Sequence, residues 1–444
     1  MCNRIFYAAG LAIVLFFVEA TAQERLALDD AIAIGLEKNY SIRIARNTAE
    51  IAANNTGKGT AGFLPVLNLL GGFNFSRTET ETNSPFSFGN SNAENLNASV
   101  SLDWTLFDGF RMFVDKSRYE ELAVLGELQA KSAIENTVVG IMRAYFNLVQ
   151  QRQLLKVARE TMAVSEDRLE RERVRREVGG SSSTDFLNAQ VAYNNDRNSV
   201  LNAELQTEIA AKELNLLMGR GPDTPLEVVD EIDIPEVSET REAITTRAIE
   251  RNSVYRIAVQ QYNIADDGVG LASSVFYPRL SLGASYGYND RTASSSRPDF
   301  PADINTETRE ASVGLTLSFN IFNGFRDRID LQNAKIQRMN EELAVLDEEN
   351  RVRGLVSERY DTYLKRKETA ELEAENLNAA EQNLKLMQER YDLGTATSLE
   401  FRDAQINAAR ARTTLIAARY QARIAHLQLQ QLMGEIEVGT IVEE

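Results

Sequence analysis

The chain has 444 residues, a net charge of −17 at pH 7 and a single cysteine, Cys2. A chain this acidic is a poor candidate for nucleic acid binding, because proteins bind phosphates mainly through Lys and Arg. The sequence contains no phosphate-binding glycine loop, no nucleophile motif and no cluster of Cys or His. These features argue against an enzyme, and they predict neither a cofactor nor a metal site.

Residues 1–22 have the pattern of a signal peptide. Arg4 supplies a positive end, residues 5–18 form an apolar run, and residues 20–22 are small enough for cleavage. The run is short for a membrane-spanning helix. Cys2 precedes the run, whereas a lipid-modified cysteine would follow it. We therefore predict an exported mature chain that has neither a thiol nor a lipid anchor.

The rest of the chain is a tandem duplication with an offset of about 215 residues. Each copy contains a proline-free stretch, 111–178 or 326–393, which predicts one helix about 100 Å long. A shorter helix follows in each copy, at 184–218 and at 398–433. In the last helix, mostly small residues recur at alternating steps of four and three, which predicts close coiled-coil packing.

The two repeats are predicted to span residues 23–235 and 236–434, followed by a short tail at 435–444. Each repeat is expected to begin with one helix, and these two helices run from Leu28 to about Leu64 and from Glu239 to about Tyr277.

A β-hairpin is predicted in each repeat, at 66–107 and at 279–322, because apolar and small polar residues alternate along all four strands. One face is expected to contact lipid and the other water. The residues expected to face lipid include Leu102, Trp104, Leu315 and Leu317, and those expected to face water include Ser101, Asp103, Thr316 and Ser318.

Prolines and glycines mark the predicted junctions between strands and helices. Pro65 and Pro278 come directly before the first strand of each hairpin. Gly109 and Gly324 lie in the Phe-Asp-Gly-Phe and Phe-Asn-Gly-Phe turns that connect the second strand to the long helix.

Four strands cannot close a barrel, and open sheet edges are not tolerated in lipid, so the sequence implies an oligomer. Two copies would give eight strands and a barrel filled by its own side chains, whereas three copies would give twelve strands around a water-filled lumen. Since the inward residues are small and polar, we predict a cyclic homotrimer.

Over nearly the whole mature chain, the sequence resembles the TolC family of outer-membrane efflux channels. The features that carry the resemblance are the duplicated plan, the prolines, the Phe-Asp/Asn-Gly-Phe turns and the order of the remaining turns. The resemblance implies an α+β membrane protein. In this fold class, a tandem-duplicated protomer contributes four β-strands and long antiparallel coiled-coil helices to a trimeric 12-stranded β-barrel and an α-helical periplasmic barrel.

The resemblance also implies a function and partners. The homotrimer would sit among outer membrane lipids, with a periplasmic extension, as the passive duct of a tripartite efflux or type I secretion system. Substrates would arrive from an inner-membrane efflux pump or ABC exporter through a periplasmic adaptor (membrane fusion) protein.

Two groups of site residues follow from the same resemblance. The turns at the periplasmic tip are implied to meet the adaptor, and their residues are Val178, Gly179, Gly180, Leu393, Gly394 and Thr395. The gate at the narrow end of the tunnel is implied to comprise Glu400, Asp403, Tyr391, Asp185 and Thr184.

Within the implied gate, Glu400 and Asp403 share a helix face, and threefold symmetry would gather six carboxylates there, relieved by bound cations or by raised pKa values. Tyr391 and Asp185 match a pair that hydrogen-bonds when the family's channel is shut, with Thr184 as a further partner. The arginine that helps to lock the family's gate falls on Ala396, so we expect a weaker lock or another residue in its place.

Two other classes of protein were weighed. A trimeric adhesin anchor also supplies four strands per chain, but those strands would be consecutive near the C-terminus, below a passenger domain. A soluble coiled-coil scaffold explains the helices but not four alternating strands with aromatic residues.

Overall fold

The computed structural model describes residues 25–81, 90–180, 182–229, 231–295 and 303–436. The predicted signal peptide and residues 437–444 of the predicted tail lie outside these ranges. In chain order the elements are α1 (Leu28–Lys38), α2 (Tyr40–Asn54), β1 (Val66–Thr78), β2 (Ser91–Asp108), α3 (Arg111–Glu177), α4 (Ser183–Leu217), α5 (Arg241–Arg251), α6 (Ser253–Ser274), β3 (Arg279–Ser295), β4 (Asp303–Ser318), α7 (Arg326–Asp392) and α8 (Ser398–Leu432).

The two repeats contain the same elements in the same order. The helices α3 and α7 each have 67 residues, and α4 and α8 each have 35. Helices this long need a sequence without proline in the interior, and both long stretches meet that condition. In the described part of the chain, no helix is both long enough and apolar enough to cross a membrane.

The four strands form one antiparallel sheet in the order β1-β2-β3-β4, so the two hairpins are joined through β2 and β3. Opposite residues of antiparallel strands share a face. An apolar row crosses all four strands through Leu69, Val100, Tyr286 and Ala311, and the adjacent row on the other face consists of Asn68, Ser101, Ser285 and Ser312. The prediction that the alternation in each strand builds one apolar and one polar face is confirmed.

This sheet allows a direct test of which face meets lipid. We expect Leu315→Arg to destabilise the folded protein by about 2 to 4 kcal/mol if the site lies near mid-bilayer, because an arginine there faces hydrocarbon. Thr316→Arg changes the next residue, which lies on the polar face, and should lower the free energy of unfolding far less. Refolding into lipid vesicles over a urea series measures both free energies. Equal costs would contradict the assignment of the faces.

The prediction of a single helix at the start of each repeat is wrong, because each is broken at an asparagine. Asn39 separates α1 from α2, and its side-chain Oδ1 accepts hydrogen bonds from the backbone N–H groups of Ser41 and Ile42 at 2.8 and 3.2 Å. Asn252 separates α5 from α6 in the same way. An asparagine that satisfies the free N–H groups of a helix start favours a new helix over continuation of the old one.

The chain folds as two compact units. The first unit comprises Met1–Glu37, Ile141–Asp233 and Glu373–Tyr420. Within its described residues, the buried Tyr145 hydroxyl donates to the carbonyl of Leu26 at 3.0 Å and accepts from the backbone N–H of Val229 at 3.3 Å. These two bonds hold the segment before α1 and the segment after α4 against α3.

The second unit comprises Lys38–Gly140, Ile234–Leu372 and Gln421–Glu444 and contains the sheet. The Tyr363 hydroxyl donates to the carbonyl of Pro235 at 2.6 Å. Burial of each large aliphatic side chain in such a core contributes about 1.5 to 3 kcal/mol. One buried apolar cluster of this unit consists of Ile244, Ala248, Val352, Val356, Leu429 and Met433.

Sharp turns join the sheet to the long helices in the second unit. Gly109 and Phe110 both have positive φ angles, 71° and 68°, and Gly324 and Phe325 repeat the pattern. A Cβ atom at position 109 would lie 2.2 Å from the carbonyl oxygen of Ser274, so only glycine fits there. Pro65 and Pro278 lie directly before β1 and β3.

Candidate gate and docking site

The two turns predicted to form the periplasmic tip have the same backbone geometry. Gly179 has a φ of 77°, and Gly394 has a φ of 71°. The N–H of Gly180 donates to the carbonyl of Arg175 at 2.7 Å, and the N–H of Thr395 donates to that of Arg390 at 2.8 Å. This is the Schellman arrangement, which satisfies the last carbonyls of a helix and requires a left-handed residue.

Each of these turns carries one exposed aliphatic side chain directly before its glycine. Val178 and Leu393 both have 79% of their surface exposed. Leu399, at the start of α8, is 70% exposed. Aliphatic side chains this exposed at a fixed turn are suitable contacts for another protein.

Glu400 is part of a reciprocal cap at the start of α8. Its Oε2 accepts hydrogen bonds from the backbone N–H and the hydroxyl of Thr397 at 2.7 and 2.8 Å, and the Thr397 hydroxyl accepts from the N–H of Glu400. The Thr397 N–H lowers the pKa of the Glu400 carboxyl below its usual value, so the charged form is favoured. Asp403, one turn further along α8, is exposed.

Tyr391, near the end of α7, is buried in a mixed aromatic and charged environment. Its ring stacks on Phe401 with a centroid distance of 5.1 Å and an interplanar angle of 11°. The guanidinium groups of Arg171 and Arg175 each lie 5.9 Å from the ring centroid. The hydroxyl donates to the buried carboxylate of Glu172 at 3.4 Å, which links α7 to α3.

A second link joins α8 to α4. Arg402 Nη2 donates to Asp196 Oδ1 at 2.9 Å, and the side chains are only 15% and 12% exposed. A charge pair so well shielded from water is costly to break, because each partner would be left charged and unpaired in a low-dielectric environment.

The buried Arg168 of α3 completes this polar region. Burial is the largest cause that lowers the pKa of its guanidinium, while the nearby Tyr391, Glu172 and Asp185 act in the opposite direction and Arg402 adds to the lowering. The structure thus brings groups from α3, α4, α7 and α8 of the first unit close enough to interact electrostatically.

The predicted gate residues are only partly brought together within one protomer. The Asp185 carboxylate accepts from the Ser182 hydroxyl at 2.6 Å at the start of α4, and Thr184 is exposed beside it. Tyr391 contacts Glu172 in the same chain. The hydrogen bond between Tyr391 and Asp185 that the resemblance implies stays a prediction.

Sequence reasoning missed Glu172, Asp196 and Arg402, although Asp196 gave a detectable signal. With the repeat offset of 215, Asp196 aligns with Ala411, one of the small residues along the packed face of α8. A charged residue at such a position requires a partner when it is buried. Among the described residues, no group of three or more His, Cys, Asp or Glu could hold a metal ion.

A four-stranded sheet with one apolar face, whose strands β2 and β4 lead into the long helices α3 and α7, is the architecture expected of one protomer of an oligomeric membrane channel. The sequence profile of the family described as outer membrane efflux protein matches residues 32–220 and 245–435. The chain is 22% identical to the outer membrane protein TolC of Vibrio cholerae over 388 residues, which are 86% of this chain and 85% of the relative. It is 23% identical to the probable efflux pump outer membrane protein TtgC of Pseudomonas putida over 418 residues, which are 92% and 83% of the two chains.

Among solved structures, the chain is similar to the outer membrane channel CmeC of Campylobacter jejuni, with a TM-score of 0.74, 16% identity and coverage of 92% of this chain and 85% of that chain. The chain belongs to the outer membrane efflux protein family. It is an outer-membrane efflux channel that forms a homotrimer and works with a periplasmic adaptor and an inner-membrane pump.

Proposed function

We propose that the first unit contains both the periplasmic gate of this channel and its docking tip, and that the chain is a passive duct that catalyses no reaction. The observation that carries the gate proposal is the half-buried Arg402–Asp196 pair between α8 and α4. Energy for export would come from the pump, which is either an efflux pump or a type I secretion exporter.

Two links hold the gate closed in this proposal. Arg402 binds Asp196 across α8 and α4, and Tyr391 binds Glu172 across α7 and α3. Opening requires α7 and α8 to move away from α3 and α4, which breaks both links. These two links replace the arginine that helps to lock the gate in other members of the family, at the position of Ala396 in this chain. Thr184 and Asp185 supply further hydrogen-bond acceptors at the start of α4.

The docking tip consists of the two Schellman turns and their aliphatic side chains. Val178 and Leu393 insert into an apolar surface of the adaptor, while the glycine turns keep the backbone close to it. Support comes from the equal exposure of the two side chains and from the Schellman hydrogen bond that both turns share.

The carboxylates of Glu400 and Asp403 are proposed to ring the aperture and bind cations. We expect trimers in planar bilayers to be cation-selective and to be blocked by a trivalent cation added on the periplasmic side. The block should weaken strongly in Glu400→Ala/Asp403→Ala. Since the Thr397 N–H lowers the pKa of Glu400, its charge, and thus its part of the block, should be lost only as pH falls through that lowered pKa.

Two comparisons separate charge from helix capping in this experiment. Glu400→Gln/Asp403→Asn keeps an oxygen that can accept from Thr397 and should weaken the block equally. Glu371→Ala/Glu375→Ala removes the same charge from an exposed face of α7 and should leave the block unchanged. Unchanged block in both Glu400/Asp403 variants would remove these residues from the aperture.

A further inference from the structure

A groove of the first unit is lined mainly by α3 and α8, with contributions from α4, α7 and the segment after α4. Its volume is about 850 Å³, which is within the range of roughly 300 to 1,000 Å³ that is typical of small-molecule sites. We call it the α3–α8 groove. Leu148 and Leu415 are only 2% and 6% exposed, so its apolar wall is held in place by core packing. This wall consists of Leu148, Leu155, Leu226, Leu377, Leu415 and Ile416.

The polar lining of the groove is basic, although the chain as a whole carries a net charge of −17. Five Lys or Arg residues and three Glu residues line it. Glu160 of α3 and Glu381 of α7 are both paired with Arg412 of α8, at 3.2 and 2.8 Å. Since these two carboxylates are already neutralised, Glu227 is the one lining acid that could offset a further cation.

Two of the lining cations have no partner of their own. Lys156 of α3 and Arg419 of α8 are exposed, and within the described part of the chain neither side chain forms an ion pair or a hydrogen bond. An exposed cation alone is ordinary, because water solvates it well. Here, however, the two cations come from the two helices that contribute most of the apolar wall. An anion in the groove is therefore attracted by both.

The two repeats differ in charge at these positions. With the offset of 215, Lys156 aligns with Glu371, and Arg419 aligns with Glu204. Either sign of charge keeps an exposed helix position soluble, so solubility does not explain why both groove positions are cationic. The basic lining is therefore a property of this groove rather than of the duplicated architecture.

We propose that the α3–α8 groove binds an amphipathic organic anion. Its apolar body lies against the leucine wall, and its negative group lies near Lys156 and Arg419. A guanidinium matches the oxygens of such a group geometrically, and an ammonium adds a compact charge. The ligand joins α3 to α8 once per protomer. The groove contains none of the residues of the proposed gate or docking tip, so this site is separate from both.

Isothermal titration calorimetry of full-length trimers in lipid nanodiscs tests this site, with empty nanodiscs as the reference. Naphthalenesulfonate should bind saturably, with one molecule per protomer. Naphthalenesulfonamide has the same apolar body without the charge and should bind much more weakly. Lys156→Glu/Arg419→Glu introduces the acids of the other repeat and should weaken sulfonate binding by roughly tenfold or more, because two attractions become repulsions.

A matched variant controls for the change in net charge. Arg197→Glu/Arg410→Glu makes the same change at exposed positions of α4 and α8 outside the groove, and it should leave sulfonate binding unchanged. Lys156→Gln/Arg419→Gln should weaken binding less than charge reversal does, and it serves if the reversed variant fails to form trimers.

Three results would each overturn the proposal. Equal affinity for sulfonate and sulfonamide would show that the site does not select an anion. Unchanged sulfonate binding in both Lys156/Arg419 variants would place the ligand elsewhere. Absence of saturable binding to intact trimers would show that the groove is covered in the assembly. None of these readouts depends on the gate, on adaptor docking or on export.

Discussion

Asp196→Ala should raise the resting conductance of the channel by roughly thirtyfold. Removal of Asp196 leaves the half-buried Arg402 guanidinium without its partner, and loss of a hydrogen bond to a charged group costs about 1.5 to 3 kcal/mol. If the pair exists only in the closed state, about 2 kcal/mol shifts the equilibrium toward the open state by roughly thirtyfold. Single-channel recording of trimers in planar bilayers measures the change directly.

Three further variants separate pairing from general destabilisation. Arg402→Leu/Asp196→Leu replaces the pair with apolar side chains and should keep the channel closed. Tyr391→Phe removes a hydrogen bond of 3.4 Å and should raise conductance less. Glu204→Ala breaks an exposed ion pair with Arg159 that links α3 to α4, and we expect no effect. Wild-type conductance in Asp196→Ala would show that closure depends on other residues.

Gly394→Arg and Gly179→Arg should each leave trimers in the outer membrane but abolish export. Both glycines adopt left-handed φ angles, where a side chain with a Cβ costs roughly 1 to 2 kcal/mol, and the added guanidinium would occupy the surface proposed to meet the adaptor. The measurements are the amount of outer-membrane trimer and the minimum inhibitory concentration of an exported compound.

Export could be lost through strain in the turn or through obstruction of the surface proposed to meet the adaptor. Variants that change only one of these two factors separate them. Gly394→Asn tolerates the left-handed conformation and adds a small side chain, so export should persist. Leu393→Ser together with Val178→Ser keeps both turns but removes the apolar contacts, and export should fall sharply. Normal export in Gly394→Arg would locate adaptor binding elsewhere on the chain.

The architecture was predictable because its signals are local. A period of two residues defined the strands, with a proline directly before β1 and β3. Proline-free stretches defined the long helices, and the fold class is confirmed. The breaks at Asn39 and Asn252 were missed because a single asparagine hardly disturbs helical periodicity. Each break depends on a side chain that caps the next helix rather than facing solvent.

The contacts of the candidate gate were less accessible to sequence reasoning. Asp196 and Arg402 are more than two hundred residues apart and meet only because α4 and α8 pack together. The same is true of Glu172 and Tyr391. Periodicity shows which face of a helix is buried, but not which distant charge lies opposite. Asp196 differs from the others in that it aligns with Ala411, one of the small residues along the packed face of α8.

The strand order has a consequence for symmetry. One repeat supplies one hairpin, so a ring of six single repeats would contain the same twelve strands as three complete protomers. Six identical repeats must carry any given charge pair at every joint or at none. Covalent fusion of two repeats removes this constraint, since Asp196 aligns with Ala411 and Arg402 aligns with Leu187. The Arg402–Asp196 bond therefore occurs once per protomer. In the trimer, three contacts between repeats carry this bond, and they alternate with three contacts that lack it.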